Sequence, residues 1–284
     1  MVRRPIPDRL ALADKAGAAP RPPVRRARGV SVLAPLLIVF APSLAMPYTE
    51  AGAGVASDRP RRLGATGMLE PHTGSLLVDY YETYLRDHDV DAFREHVCSR
   101  YLEGTLSRLV ESPTLQARRA AVFALGLYGS FEVNASLARA LRDDDPVVRS
   151  LAENALWAVW FRADNAENNA TLETIAGLTR RQQFGEAVVL ADRLIARAPG
   201  FAEAYNQRAI AEFLLGRFRE SADDCRLALG RNPFHLGALA GLAKCQLNLG
   251  QREPAIESLR RVSKLQPYNR DVREWIALLE AGGP

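Results

Sequence analysis

Two consecutive stretches near the C-terminus decide the fold: AEAYNQRAIAEFLLGRFRESADDCRLALGRNPFH at Ala202–His235 and LGALAGLAKCQLNLGQREPAIESLRRVSKLQPYN at Leu236–Asn269. Each is 34 residues long, and they align without a gap. Two helices of one such unit cannot bury their own apolar faces, whereas stacked copies can. The period therefore predicts an all-α solenoid of helical hairpins, a class that usually holds other proteins.

The two units share small and turn-forming residues at matching places. Small side chains let the two helices of a hairpin approach, Gly ends the first helix, and Pro stops the second. In these positions the sequence resembles the tetratricopeptide repeat. The matching residues are Ala209, Gly216, Phe218, Ala228 and Pro233 in one unit and Ala243, Gly250, Ala255 and Pro267 in the next.

A third, weaker unit precedes them at about 168–201, and a closing helix follows at 270–279. The weaker unit has Gln182 where the turn Gly is expected and Ile175 where a small residue is usual. The residues of this unit that remain in register are Phe184, Ala187 and Pro199. We therefore expect a tetratricopeptide domain over 168–284, with the closing helix shielding the last repeat from water.

A different repeat, with an offset of 31 residues, places Arg118–Gly126 over Arg149–Trp157. This pattern resembles short HEAT-like repeats of the type also seen in bilin lyases, and the resemblance implies an Asp that caps a helix and an Arg that reaches acidic or carbonyl groups. Asp145 before Pro146 is also a helix start on local grounds. The expected fold is thus an all-α, α-α solenoid, a right-handed superhelix in which a HEAT-like region at 71–167 continues into the tetratricopeptide repeats.

The N-terminal residues predict three segments without helical repeats. Residues 1–28 form a basic tail expected to be disordered, 29–45 an apolar segment that resembles a signal peptide, and 46–70 a linker. The apolar segment is short for a membrane span and contains Pro35. We expect an extracytoplasmic protein, exported or anchored through this segment with possible membrane association. A cytoplasmic protein with a chance apolar patch is the alternative.

The distribution of charge argues against a nucleic-acid partner. Residues 1–60 hold 9 Lys and Arg against 4 Asp and Glu, and the remainder holds 28 against 29. A phosphate-binding surface needs a basic stripe on the folded part. The 3 cysteines argue against a disulfide scaffold or a structural zinc site. For Cys225 and Cys245, expected on facing helices, both buried packing and a disulfide are open.

No catalytic motif stands in the sequence: it has no phosphate loop, no Gly-x-Ser-x-Gly and no HExxH. Asp87–Asp91 has the alternating acids of a calcium loop, but Ala92 and Cys98 occupy the places that require Gly and Glu. We predict a polar turn there, and a protein that is not an enzyme and takes no cofactor or metal.

The resemblance implies a concave face lined by the first helices of the repeats. Tetratricopeptide domains that clamp a C-terminal carboxylate carry basic and Asn residues there, but here those places hold Leu172, Ala176, Gln207, Gly237 and Gly241. The residues expected to line the face are Arg180, Asn206, Ile210, Phe213, Ala240, Lys244 and Leu247. Such a mixture suits an extended or helical peptide with apolar anchors. Packing of the apolar members on neighbouring helices is the alternative.

These observations predict a non-enzymatic adaptor or scaffold that binds a protein or peptide segment on its concave face. Two alternatives stay open. One is a cell-envelope assembly factor that uses the same mechanism at an exported address. The other is a bilin lyase-like protein that handles a cofactor. Only the HEAT-like segment supports this second alternative.

Overall fold

The computed structural model describes residues 75–282. Within this range 13 α-helices and one short 3₁₀ turn follow one another without a strand, which confirms the all-α prediction. The segments predicted at 1–28, 29–45 and 46–70 lie outside the described residues. No helix of residues 75–282 has the length and apolar character needed to cross a bilayer.

The front part of the molecule consists of six helices and a 3₁₀ turn. Their bounds are α1 Leu76–Asp87, α2 Val90–Cys98, α3 Glu103–Leu109, α4 Leu115–Tyr128, the 3₁₀ turn Phe131–Val133, α5 Asn134–Ala140 and α6 Pro146–Phe161. The polar turn predicted between α1 and α2 is present: His88 has a φ of 56°, and the Asp89 carboxylate caps α2 by accepting the Ala92 N–H at 2.9 Å.

The 31-residue repeat is visible in two equivalent arginines. Arg118 Nη1 donates to the Ser112 carbonyl at 3.0 Å, and Arg149 Nη1 donates to the Asp143 carbonyl at 2.8 Å, six residues upstream in each case. The predicted cap is also confirmed, because the Asp145 carboxylate accepts the Val148 N–H at 2.9 Å. These contacts give the repeat a structural basis, while membership of the HEAT family stays a prediction.

Asp145 also ties α6 to α4. Its carboxylate receives two hydrogen bonds from the Arg119 guanidinium, at 3.0 and 2.7 Å. The hydrogen bond from Arg119 is the main reason why the pKa of Asp145 lies below its usual value. One side chain therefore starts α6 and fixes it against its neighbour.

The back part of the molecule is a stack of helical hairpins. Its helices are α7 Ala166–Arg180, α8 Phe184–Arg197, α9 Ala202–Leu214, α10 Phe218–Arg231, α11 Leu236–Asn248, α12 Arg252–Leu265 and α13 Arg270–Glu280. The second helices of the three hairpins begin 34 residues apart, as do α9 and α11. The closing helix α13 packs on α12 and buries Val272 and Leu279.

The turn inside each hairpin has a left-handed residue at the same position. Gly216 and Gly250 have φ of 77° and 72°, and Gln182 has a φ of 62°. The turn Gly is thus missing from the first hairpin, but its backbone conformation is kept. A residue with a side chain is strained at positive φ. The turn of the first hairpin is therefore less favourable in conformational free energy than the two glycine turns.

One continuous hydrophobic core joins the front part to the last two hairpins. The first hairpin has a separate core, built around Leu172, Ile175 and Leu194. Cys225 and Cys245 are free thiols in the main core, where they serve as packing. The repeats therefore do not form a uniform row.

A charged side chain lies in the interior of the last hairpin. Lys244 on α11 is only 3% exposed. Burial penalises its ammonium form and lowers the pKa of Lys244 from 10.5 to about 8. The folded state therefore holds this proton less tightly than the unfolded chain does.

Replacing Gln182 by Gly removes the strain at the first turn. Because the side chain is exposed, we expect Gln182→Gly to raise the free energy of unfolding by about 0.5–1 kcal/mol. Urea denaturation measures the change. Gln182→Ala keeps the Cβ and is the control that should show no such gain. An unchanged or lower stability for the Gly variant would contradict the strain.

Replacing Lys244 by Met removes a pH dependence. Between pH 8 and the unfolded value near 10.5 the unfolded chain binds more protons, so the stability of the wild type rises with pH there. We expect the rise to be absent in Lys244→Met and the variant to be about 1–3 kcal/mol more stable at pH 7. Denaturation curves of both proteins from pH 7 to 9.5 give the comparison. Parallel curves would disprove the shifted lysine.

Candidate functional site

The residues predicted for the concave face are unequally accessible. Asn206, Ile210, Ala240 and Lys244 are buried, with exposures of 0%, 8%, 5% and 3%. Phe213 and Leu247 are half-buried, and Arg180 is exposed. The inner face of α9 and α11 is therefore closed to solvent over most of its length.

Helix α6 covers the beginning of this face. A Cβ placed on Gly237 would lie 2.6 Å from Cη2 of Trp157 and 3.4 Å from Oδ1 of Asn206. The Trp157 indole thus lies directly on the backbone of α11, beside a side chain of α9. Only glycine leaves room for it, since real Cβ atoms do not approach other atoms so closely.

A second tryptophan of α6 contacts His235, the last residue of the turn before α11. The Trp160 indole stacks on the His235 ring with centroids 4.3 Å apart and planes at 22°. Trp157 meets the same ring edge-on, at 5.7 Å and 86°. Both arrangements are favourable for aromatic pairs, so His235 is held from two sides.

The hydrogen bonds of His235 fix its tautomer. Nδ1 accepts the Ala238 N–H at 3.2 Å and so caps α11, which leaves the proton on Nε2. Nε2–H then donates to the Glu203 carboxylate at 2.7 Å. Both side chains are fully enclosed. The imidazole therefore serves as a cap and a donor at once.

The Glu203 carboxylate is satisfied by three donors. Besides His235 it accepts from Asn206 Nδ2 at 2.9 Å and from Gln207 Nε2 at 2.7 Å. A buried carboxylate is tolerated only when such bonds replace water. Asn206 and Gln207, which stand at inner-face positions, are thus committed to Glu203 in this structure.

A chain of amides extends this network to the front part. The Trp160 indole N–H donates to Asn134 Oδ1 at 2.8 Å, and Asn134 Nδ2 donates to Asn232 Oδ1 at 2.9 Å. Asn134 and Asn232 are 98 residues apart in sequence. We call Asn134, Trp157, Trp160, Glu203, Asn232 and His235 the junction cluster.

The same face of α6 reaches the next inter-repeat turn. Glu153 accepts from Gln266 Nε2 at 3.1 Å, and the Arg149 guanidinium lies 4.2 Å from the centre of the Tyr268 ring. The Tyr268 hydroxyl donates to Asp144 at 2.8 Å, and this bond raises the pKa of Tyr268. Helix α6 therefore spans the turns at 232–235 and 266–269, which are equivalent in the 34-residue repeat.

The open part of the inner face lies at the far ends of the first helices. Arg180, Leu214 and Asn248 occupy the same position in successive repeats and are exposed. Leu214 is 41% exposed. Arg180 and Arg181 place their guanidinium groups 3.7 and 3.8 Å from where a Cβ on Gly177 would lie. An exposed leucine at the end of α9 and two exposed arginines at the end of α7 are therefore accessible there.

The junction cluster is not among the sites predicted from the sequence, although two features of the sequence indicate it. The 31-residue alignment sets Trp157 opposite Gly126, which exchanges the smallest side chain for the largest. The inner face of α11 in turn carries Gly237, Ala240 and Gly241, a row of small residues that could receive it.

Two cavities bear on the possibility of a cofactor. One, of about 390 Å³, is a polar recess lined by side chains such as Arg118, Arg139 and Asp143. The other, of about 270 Å³, lies beside the junction cluster against Phe131, Trp160 and Phe201. Neither volume is large among small-molecule sites, which measure about 300–1,000 Å³. Within residues 75–282 no group of His, Cys, Asp and Glu could hold a metal.

Comparison with known proteins gives several relatives, although no protein-family model matches the chain. A TPR repeat-containing protein of Rhizobium etli is 28% identical over 138 residues, which cover 49% of this chain and 68% of that protein. The inactive TPR repeat-containing thioredoxin TTL3 of Arabidopsis thaliana is 36% identical over 94 residues, 33% of this chain and 14% of that one. Sperm-associated antigen 1 of Mus musculus is 31% identical over 97 residues, 34% and 11%.

The chain thus spans about two thirds of the rhizobial relative and less than a sixth of the other two. Among solved structures, the complex of the TPR2AB domain of yeast Sti1 with pHSP90 aligns with a TM-score of 0.37 at 17% identity, over 72% of this chain and 96% of that one. Two of these sequence relatives are thus TPR repeat-containing proteins, and the 34-residue spacing with the turns at Gln182, Gly216 and Gly250 gives helices α7 to α12 the form of three stacked helical hairpins of that kind.

Proposed function

We propose that this chain is a non-enzymatic adaptor that holds a protein or peptide segment on the inner face of its tetratricopeptide repeats. The observation that carries the proposal is the accessible end of that face, where equivalent residues of successive repeats present an apolar side chain and cations. The sequence similarity to a TPR repeat-containing protein supports the same proposal.

The chemistry of this end defines the segment that would fit. Leu214 is exposed beside the half-buried Phe213, and Leu247 stands in the next repeat. Buried apolar anchors supply most of the binding energy in such contacts, and charges at the rim fix orientation. Arg180 and Arg181 therefore favour a segment with an apolar anchor and a nearby carboxylate.

The polar groups of the interior do not favour catalysis. His235 and Glu203 have the residue types of a general acid and base, but both ring nitrogens of His235 are engaged and both side chains are enclosed. A general base must reach the proton that it removes. The pair is better explained as the device that joins α6, α9 and α11.

An address in the cell envelope remains a proposal that depends on residues 29–45. These residues lie outside the described part of the chain. Cell fractionation with an antibody against the repeat domain would decide it, because full-length protein found in the cytosol would contradict export. The adaptor mechanism itself does not depend on the result.

The adaptor proposal predicts that reversing the chemistry of the open end weakens partner capture. We expect Arg180→Glu combined with Leu214→Glu to lower recovery of specific partners by about tenfold or more, because an anchor and a cation are lost together. Affinity capture followed by quantitative mass spectrometry measures this.

The matched control is Leu227→Glu on the second helix α10, since Leu227 is 43% exposed and Leu214 is 41% exposed. It should retain the partners of the wild type. Equal recovery by all three proteins would exclude the inner face as the binding surface, provided that their circular dichroism spectra and melting temperatures agree.

A further inference from the structure

The beginning of the inner face of the last two repeats, with the two inter-repeat turns beside it, already holds a helix. Arg149, Glu153, Trp157 and Trp160 follow one another along one side of α6 at helical spacing, and each contacts the repeats or their turns. The other side of α6 belongs to the front core, through residues such as Leu156 and Val159. Helix α6 therefore presents a complete binding face to the repeats.

The recess for Trp157 is formed by the sequence of α11. Gly237 is the point of contact, and Ala240 and Gly241 continue the same small-residue face. A single added methyl group at Gly237 would meet the indole at 2.6 Å. The recess thus accommodates a flat aromatic side chain from another helix. Position 237 itself has no room for a side chain larger than that of glycine.

The contact between α6 and the repeats is incompletely satisfied. Asn206 Oδ1 and Asn232 Nδ2 are buried beside it and have no hydrogen-bond partner among residues 75–282. Such atoms make closure of a contact less favourable, because their desolvation is not compensated by a hydrogen bond. In this respect the interface is more similar to a contact between two separable domains than to a permanent core.

The covalent connection allows separation. Only residues 162–165 link α6 to α7. Arg162 belongs to the front side of this link, since it donates to the Leu125 and Gly129 carbonyls at 3.1 Å. Arg162 therefore stays with the front helices, and a separation of α6 from the repeats would open the shared core at this junction without breaking a helix.

From these observations we propose that the beginning of the inner face is a receptor for a helix that presents an indole to Gly237, that α6 occupies this part in the resting chain, and that a partner helix of the same chemistry binds by exchanging with α6. The proposal rests on the proposed function, because it names the segment that the adaptor holds. The partner's apparent affinity is lowered by the fraction of molecules in which α6 is bound.

The test uses a fluorescent peptide with the sequence of residues 146–161, in which Val148→Gln, Leu156→Gln and Val159→Gln make the front-core side polar. It is titrated into the full chain as wild type, as Trp157→Ala and as Trp157→Ala with Gly237→Ala. We expect the single variant to bind the peptide at least about tenfold more tightly than the wild type. The added methyl group should abolish the gain, and a peptide carrying Trp157→Ala should not bind.

A double-mutant cycle checks the contact without the peptide. Gly237→Ala should lower the melting temperature of the wild type and leave that of the Trp157→Ala chain nearly unchanged, because the clash partner is gone. Equal peptide affinity for all three chains, or an equal effect of Gly237→Ala in both backgrounds, would overturn the proposal. If only this result fails while the Arg180 and Leu214 variants still lose their partners, the adaptor function stands and the exchange with α6 falls.

Discussion

The stack of Trp160 on His235 is the contact on which the arrangement of the molecule depends. It is the point where the front core, the capped start of α11 and the buried Glu203 carboxylate meet. Both stacked rings also have their polar atoms satisfied. The indole N–H donates to Asn134, and the imidazole forms hydrogen bonds with a carboxylate and a backbone amide. The members of such a buried network depend on one another, because removing one leaves the polar atoms of its neighbours without a partner.

The junction cluster also constrains the shape of the repeat array. Helix α6 touches two successive inter-repeat turns with residues on one of its faces, and the distance between those turns is set by the packing of neighbouring hairpins. Because α6 contacts both turns, their positions relative to each other are supported by a helix that lies outside the repeats.

Local signals in the sequence were sufficient to predict these turns and this helix start. The turns at Gly216 and Gly250, the cap at Asp145 and the polar turn at His88 all follow from conformational preferences of single residues, and the structure confirms them. The closed inner face could not be found in this way, because its contacts join residues such as Asn134 and Asn232 across 98 positions. Lys244 illustrates the difference: its register placed it at the inner face, but only the packing around it decides that it is buried.

The strained turn at Gln182 affects the order in which parts of the chain unfold. It belongs to the hairpin that has its own small core and that directly follows the link at 162–165. In a linear array the least stable unit opens first, and opening propagates from it to its neighbours. Under tension or protease attack we expect this hairpin to open before the front helices or the last repeats, which would remain attached to each other through their shared core.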